Sequence, residues 1–515
     1  MSEPAHVRGT NEPSHASLSS YGIDAATGEF IHPQAAPFYP HARPVADSLD
    51  YLENRQYCRN MTVEAHWPIV VSPSVCWQQI IDWAGRRYMY NYFKTRLNIY
   101  DITDPRELKV LVDKTFSGGE SFGASTIAFN AKLGKWIMLQ SVEVPRGLGA
   151  MGDGGKYAEP ERVAGLMAKP MFRGFRVFEL TSPTEWHLLA EVSTDALHPH
   201  GRVQQGSGAL DVPTYHGGRY AFIAAAPDNT FVNQEYPNYV YSPAHLIYDL
   251  EDPCNPRLVS TWWVPGQRLG EDRAYRALRQ YGNHTSWLGA RMPIAVNPPL
   301  EQGGRYGYTV MGGLGFHVVD LADPANPVTA GSLDLPLNVG GVEGDNVDAS
   351  RAHDLGIVLV NGYPMNEDGY EPYKDIFVID VKDPAHPTLV GVLPRPVPPA
   401  DAPYTDFVLR RGKFGPKRPG YYFQPGAAHS GIAIYPFMNA GIQVFDIRDP
   451  SHATIAAYFV PRMTGDFANT HSYATPMENV FIEWDRKLIW AFGNTGIYLL
   501  TTPALGEPHF GAPRN

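Results

Sequence analysis

An all-β fold, a seven-bladed β-propeller of four-stranded antiparallel blades, is what this sequence predicts, and three features carry the prediction. A turn motif recurs along the chain: NIYDITDP, FELTSP, IYDLEDP, VVDLADP, VIDVKDP and VFDIRDP end at Pro105, Pro183, Pro253, Pro324, Pro384 and Pro450, and a worn copy, IYLLTTP, ends at Pro503. The prolines are 78, 70, 71, 60, 66 and 53 residues apart, the mark of one supersecondary unit repeated with loops of variable length. Each copy is flanked by short runs rich in β-branched and aromatic residues. Finally, the last copy lacks an outer strand, and TVEAHWPIVV at 62–71 precedes the first full repeat and is free to supply it.

The chemistry of each copy explains the pattern. The first Asp of the turn (Asp101, Asp249, Asp320, Asp380, Asp446) can accept from backbone N–H groups two or three residues on, and the proline then fixes φ and ends the ladder. Runs such as KWIMLQS, RYAFIAAA, RYGYTVMGG, GIVLVNGY and LIWAFGN precede the corners, and LKVLVDKTF, RLVSTWWVP, VTAGSLDLP and TLVGVLPRP follow them. Four strands per copy, closed radially, protect the edges that an open sheet would expose.

The signature read best in GFHVVDLADPANP, DIFVIDVKDPAHP and GIQVFDIRDPSH resembles the LVIVD repeat, and the resemblance runs over roughly residues 75–503. It implies a propeller. Propellers host enzymes, binding platforms and scaffolds alike, so it implies no reaction. A looser functional analogy is with propeller metalloenzymes that hold iron or copper on axial histidines, although no stretch matches their motifs.

The 515 residues are 43% apolar and 12% aromatic, and the repeats run on without room for a second core, so the expectation is an extended N-terminal arm over 1–60 and one propeller over 61–515. A formal charge of −11 argues against nucleic acid or an anionic membrane as partner. No apolar run approaches the ~20 residues of a membrane span, and the first residues lack the pattern of a signal peptide. Cys58, Cys76 and Cys254 are too few for a disulfide framework. These features together predict a cytoplasmic protein.

In a propeller, the connections from one blade's outer strand to the next blade's inner strand gather around the axis. With inner strands beginning at GALDV, PIAVN and VFIEW, His200, His284 and His471 each lie nine or ten residues upstream, in matching register. Imidazole is a common neutral ligand for transition metals, and ligands from separate blades make a rigid site with an open position. His429 in QPGAAHSG is the fourth candidate ligand. It alternatively sits in a turn between first and second strands, on the opposite face, like His216 and His353, where a histidine more commonly bonds a backbone carbonyl. An all-histidine set favours iron or copper, with zinc or manganese also compatible.

Glu343 and Asp345, entering the fifth blade, are candidate general bases or partners of a ligand histidine, against the plainer reading of a solvated acidic loop. Arg202 and Arg351 are candidates to hold an anionic group or to pair with these carboxylates. Tyr281, Trp287 and Tyr473 would wall the site and favour an apolar or aromatic small-molecule substrate, though aromatics also serve ordinary packing. GLGAMGDGG and ERVAGLMAK lie in a long second-blade insertion. It and the tyrosine-rich stretches DNTFVNQEYPNYVYSP and RGKFGPKRPGYYFQPG are candidates to cap a mouth or join copies into a homo-oligomer. No GxxxxGK[ST], HExxH or CxxC occurs. Two function classes follow: a metal-dependent enzyme of small-molecule catabolism, directed toward oxidoreductase chemistry with lyase or hydrolase as the alternative, and a non-catalytic propeller binding a protein or metabolite.

Overall fold

A computed structural model of the protein describes residues 55–68, 77–93, 96–115, 124–142, 172–198, 201–202, 208–231, 242–271, 289–290, 292–312, 314–335, 344–362, 374–407, 410, 414–419, 424–462, 477–493 and 495–513. For residues 77–78, 93, 197–198, 201–202, 210–211 and 344–345 it describes the backbone alone.

The first strands in the chain are β1 (Tyr57–Arg59) and β2 (Thr62–Trp67). Blade 1 is β3 (Trp77–Trp83), β4 (Arg86–Phe93), β5 (Arg96–Asp101) and β6 (Lys109–Thr115). Blade 2 is β7 (Ser125–Asn130), β8 (Lys135–Val142), β9 (Gly174–Ser182) and β10 (Glu185–Ser193); a short ribbon, β11 (Leu197–His198) and β12 (Gly201–Arg202), follows. Blade 3 is β13 (Leu210–Tyr215), β14 (Tyr220–Ala225), β15 (Ala244–Asp249) and β16 (Arg257–Trp262). Blade 4 is β17 (Ala295–Val296), β18 (Tyr306–Val310), β19 (Phe316–Asp320) and β20 (Val328–Leu333). Blade 5 is β21 (Gly344–Asp348), β22 (Ile357–Gly362), β23 (Ile376–Asp380) and β24 (Thr388–Val392), with α1 (Ala352–Leu355) in its first turn. β25 (Ile432–Pro436), β26 (Ile442–Asp446) and β27 (Thr454–Val460) belong to blade 6, and β28 (Met477–Glu483), β29 (Leu488–Gly493) and β30 (Gly496–Thr501) to blade 7.

The N-terminal segment closes the ring, as its sequence predicts. β2 pairs antiparallel with β30, so blade 7 gains its outer strand from the start of the chain. β1 adds outside β27, so Tyr57–Arg59 belongs to blade 6 rather than to an arm. The inner position of blade 6 is irregular. Phe414 bridges Met438, Lys417 N donates to Pro436 O at 2.8 Å, and Arg418 bridges Asn479 of blade 7. Pro416 and Pro419 lack the N–H groups of a regular ladder, so a stretch that reads as an insertion holds an inner-strand place without forming a strand.

Every corner closes by the same local bonds. The first Asp accepts from the N–H two residues on: Asp101 from Thr103 at 3.0 Å, Asp249 from Glu251 at 2.8 Å, Asp320 from Ala322 at 2.9 Å, Asp380 from Lys382 at 2.9 Å and Asp446 from Arg448 at 3.1 Å. The worn copies use hydroxyls, Ser182 accepting from Thr184 N and Thr502 from Ala504 N, each at 3.3 Å. The corner proline carbonyl then meets the outer strand of the preceding blade. Ser260 Oγ donates to Pro324 O at 2.6 Å, and at the equivalent positions Gly331 and Gly391 a Cβ would collide with Pro384 O and Pro450 O. Only a small residue lets the blades approach there.

Buried apolar residues form clusters between blades rather than one central core. Ile81, Tyr90, Ile127 and Met138 join blades 1 and 2, for example, and Ile80, Tyr100, Phe481 and Trp490 join blades 1 and 7. Such a cluster fills each of the seven interfaces, so removing any blade would expose two apolar faces.

Candidate functional site

Antiparallel blades have two unlike faces. The first-to-second turns and the aspartate corners share one, the corner face. The second-to-third connections and the passages into the next blade share the other, the loop face. His200 falls between β10 and β13, His284 between β16 and β17, and His471 between β27 and β28, all in passages between blades. These three histidines lie outside the described residues, as do Tyr281, Trp287, Tyr473 and Glu343. For Arg202 and Asp345 only the backbone is described, in β12 and β21. Among the described residues, no group of three or more His, Cys, Asp or Glu side chains is placed to hold a metal ion.

The structure separates His429 and Arg351 from that company. His429 precedes β25, whose first residue, Ile432, pairs with the corner Asp446, so His429 stands on the corner face. Its Nδ1 accepts from Gly431 N at 3.1 Å, and its pKa is lowered by burial first and then by Lys487, Arg351 and Arg448. Arg351 sits in the first turn of blade 5, 3% exposed, where Nη1 donates to Asp348 at 2.7 Å and Ser350 Oγ at 2.9 Å, and Nη2 to Ile432 O. It ties blade 5 to blade 6. His216 and His353 also lie on the corner face. His216 bonds the Val296 backbone in the next blade, and burial pushes its pKa down to about 4.

The loop-face ends of the inner strands hold a different population. Lys417, 3% exposed in the inner segment of blade 6, faces Glu478 of β28, 8% exposed, at 3.8 Å. Asn361 Nδ2 donates to Gly362 O at 2.7 Å and Lys417 O at 3.4 Å, and its buried Oδ1 has no hydrogen-bond partner among the described residues. Asn346, Arg418 and Asn479 are buried at the same end of these blades. Arg395 pairs with Asp375 through Nε at 2.5 Å and Nη2 at 2.6 Å, and Arg410 donates to Asn439 O and Pro461 O. Burying so many polar groups is costly unless each is bonded or used.

Sequence reasoning passed over Lys417, Glu478, Asn361 and Asn346. The signal was faint: charged or amide residues at the loop-side ends of inner and second runs, where neighbouring residues are apolar. Two short patterns carry less than their spacing suggests. Gly119-Glu-Ser-Phe-Gly123 has GxSxG spacing but leads into β7, and Gly147-Leu-Gly-Ala-Met-Gly152 has GxGxxG spacing but lies between the antiparallel β8 and β9. The first is followed by a strand rather than the helix its chemistry needs, and the second lies outside the described residues.

The LVIVD repeat family matches residues 303–334 and 373–393, the heart of blades 4 and 5. No curated protein matches the sequence. Among solved structures, the periplasmic gluconolactonase PpgL of Pseudomonas aeruginosa is similar over 86% of this chain and 98% of its own, at 12% identity and a TM-score of 0.46. The β-propeller domain of Cps50 (Swd1) from Myceliophteria thermophila is similar over 82% of this chain and 99% of its own, at 9% identity and a TM-score of 0.39. The chain is thus a seven-bladed β-propeller in which two stretches, in blades 4 and 5, match the LVIVD repeat.

Proposed function

We propose that the protein is an enzyme acting on a small molecule at the loop-face end of its central channel, with a transition-metal ion held by His200, His284 and His471. The observation that carries this reading is the set of buried polar side chains there, above all Lys417, Glu478, Asn361 and Asn346, on inner and second strands that need only apolar residues for packing. The three histidines lie in passages that belong to the same face. Iron or copper suits an all-imidazole set best and directs the reading toward oxidoreductase chemistry; zinc or manganese in the same ligands would serve a lyase or hydrolase. When bound, such an ion supplies Lewis-acid or redox chemistry. The chain's own groups would orient the substrate, Lys417 and Glu478 as a fixed charge pair and Asn361 through its spare amide oxygen.

The test is metal analysis of the purified protein beside a His284→Ala, His471→Ala double variant. About one equivalent of a transition metal, lost in a variant of unchanged circular dichroism and Tm, is the expected result. No stoichiometric metal after reconstitution with iron, copper, zinc and manganese in turn would overturn the metal reading. It would leave the propeller as a platform for a protein or metabolite.

A further inference from the structure

The corner face holds a cavity that plays no part in the function proposed above. A cleft of about 240 Å³ opens among blades 5, 6 and 7, against the Asn297–Pro298 turn of blade 4. Its walls are the corner-side ends of inner strands, so it lies near the propeller axis. We propose that this cleft binds a small neutral polyhydroxy molecule, a monosaccharide or cyclic polyol.

Size, surface and charge each narrow the occupant. Drug-sized ligands fill about 300–1,000 Å³, so this volume suits a molecule of on the order of a dozen non-hydrogen atoms. Trp484, 5% exposed, lines the cleft with Ile434 and Ile482, each 2% exposed, and offers an indole against which the C–H face of a sugar ring can pack. Asn297, Asp348, Arg351 and Gln424 line it as well. Asn297 spends its Nδ2 on Ala349 O at 3.1 Å, which leaves Oδ1 to accept, and Gln424 makes no hydrogen bond among the described residues.

The charges on this wall are already matched. Arg351 Nη1 is 2.7 Å from Asp348 Oδ2, and its Nη2 is held by backbone carbonyls, so this guanidinium is already engaged and is not free to recognise a carboxylate or phosphate. The exposed Asp354 at the rim further disfavours an anion. Asp348 in turn has its charge compensated and offers little to a cation. Yet Arg351 Nε is buried without a hydrogen-bond partner among the described residues. Arg351 and Asp348 cancel and the remaining carboxylate, Asp354, is solvent-exposed, so the mixed donors and acceptors deeper in the cleft fit hydroxyl groups, which both donate and accept. An apolar ligand would leave these groups unpaired.

Calorimetric titration tests the proposal with D-glucose, D-galactose, D-mannose and myo-inositol as neutral probes, and D-gluconate and D-glucosamine as charged probes of similar size. At least one neutral probe should bind saturably at one site, with the charged analogues weaker by about tenfold or more. Gln424→Ala should weaken that binding about tenfold and Trp484→Leu should abolish it. If Trp484→Leu does not fold, the partly exposed Gln424, whose side chain holds no described bond, carries the test alone. The His284→Ala, His471→Ala variant should bind the probe unchanged. No saturable binding of any neutral probe at concentrations on the order of tens of millimolar, equal or tighter binding of the charged probes, or binding that survives Gln424→Ala would overturn the proposal.

Discussion

The corner face and the loop face both bury charge, but they do so for different reasons. At the corners the repeat itself encodes the polar groups: an Asp bonds its own turn, and a neighbouring Arg or Lys pairs with it, as Arg305 does with Asp320 and Arg448 with Asp446. Where blade 7 meets blade 1 the same face carries a denser cluster. Glu483, fully buried, accepts from Arg87, from Arg486 Nε at 2.6 Å and from Trp490 Nε1 at 2.6 Å; Arg87 also pairs with Asp82 at 2.7 Å and Asp485 at 2.8 Å, and Arg486 reaches Ile102 O and Thr103 O at 3.0 Å. Those bonds are accounted for by ring closure. Among the loop-face groups only Asn346 and Asn479 share a register, in blades 5 and 7; Lys417, Glu478 and Asn361 are not part of the corner motif, and closure does not require them. The contrast teaches that buried charge marks a candidate site only after the architecture's own needs have been subtracted.

The sharpest way to break the comparison is at Glu483. Glu483→Ala leaves Arg87 and Arg486, 1% and 0% exposed, without their shared carboxylate, and breaking such a buried network typically costs about 3–5 kcal/mol. Chemical denaturation should show a loss of this size, larger than any other single substitution in the corners should give. A loss below about 1 kcal/mol would mean that Asp82 and Asp485 alone balance both guanidinium groups, and that closure rests on the apolar cluster around Trp490.

A second comparison is set by pH. On the loop-face side of blades 3 and 4, His245 and His317 flank Trp262, with Nε2 of His245 2.8 Å from Thr309 Oγ1 and Nε2 of His317 2.9 Å from Leu314 O. Burial, with the neighbouring His317 adding to it, pushes the His245 pKa down to about 3, and burial pushes His317 down to about 4. The folded state therefore keeps both rings neutral where the unfolded chain, near the ordinary 6.5, takes up protons. Stability from this source is full above pH 6.5 and falls as pH drops toward 4, by up to about 1.4 kcal/mol per pH unit for each histidine. His317→Gln should flatten the decline between pH 6.5 and 4 by one such increment. The corner aspartates act lower: Arg219 beside Asp249 holds its pKa at about 2, so its contribution is lost only as pH falls from about 4 toward 2. An unchanged slope in His317→Gln would show that the ring titrates normally.

How much of this was legible in the sequence follows from the range of the interactions. The Asp101, Asp249 and Asp446 turns depend on neighbours two residues away, so the motif determined them, and Ser182 and Thr502 follow the same rule in the worn copies. The pairing of Thr62–Trp67 with blade 7 was also readable, because the last repeat visibly lacked a strand. Tyr57–Arg59 was not, since three residues carry no alternation to read. Arg87 and Glu483 are 396 residues apart, and Lys417 meets Glu478 only because blades 6 and 7 are neighbours. His429 and Arg351 show the same limit from the other side: the sequence left His429 open between the two faces, and only the register of β25 settles it on the corner face, while the first turn of blade 5 puts Arg351 there.

The smallest effect separates the two parts of a corner. Arg305, 57% exposed, holds Asp320 through Nε at 3.0 Å, while Asp320 also accepts from Ala322 N at 2.9 Å to shape the turn. Solvent and salt screen the ion pair, so Arg305→Ala should have the smallest effect of these variants, and a smaller one still in 1 M salt. Asp320→Ala removes the pair and the turn bond together and should cost about 1 kcal/mol more, with little salt dependence in that added part. If the two variants prove equal, the turn is held by Pro324 and the strands alone, and the aspartate that marks each repeat serves mainly to seat a cation. If Arg305→Ala costs as much as Glu483→Ala, the corner charges behave as buried ones do. The boundary drawn between local turn chemistry and the closure network at Glu483 would then have to move.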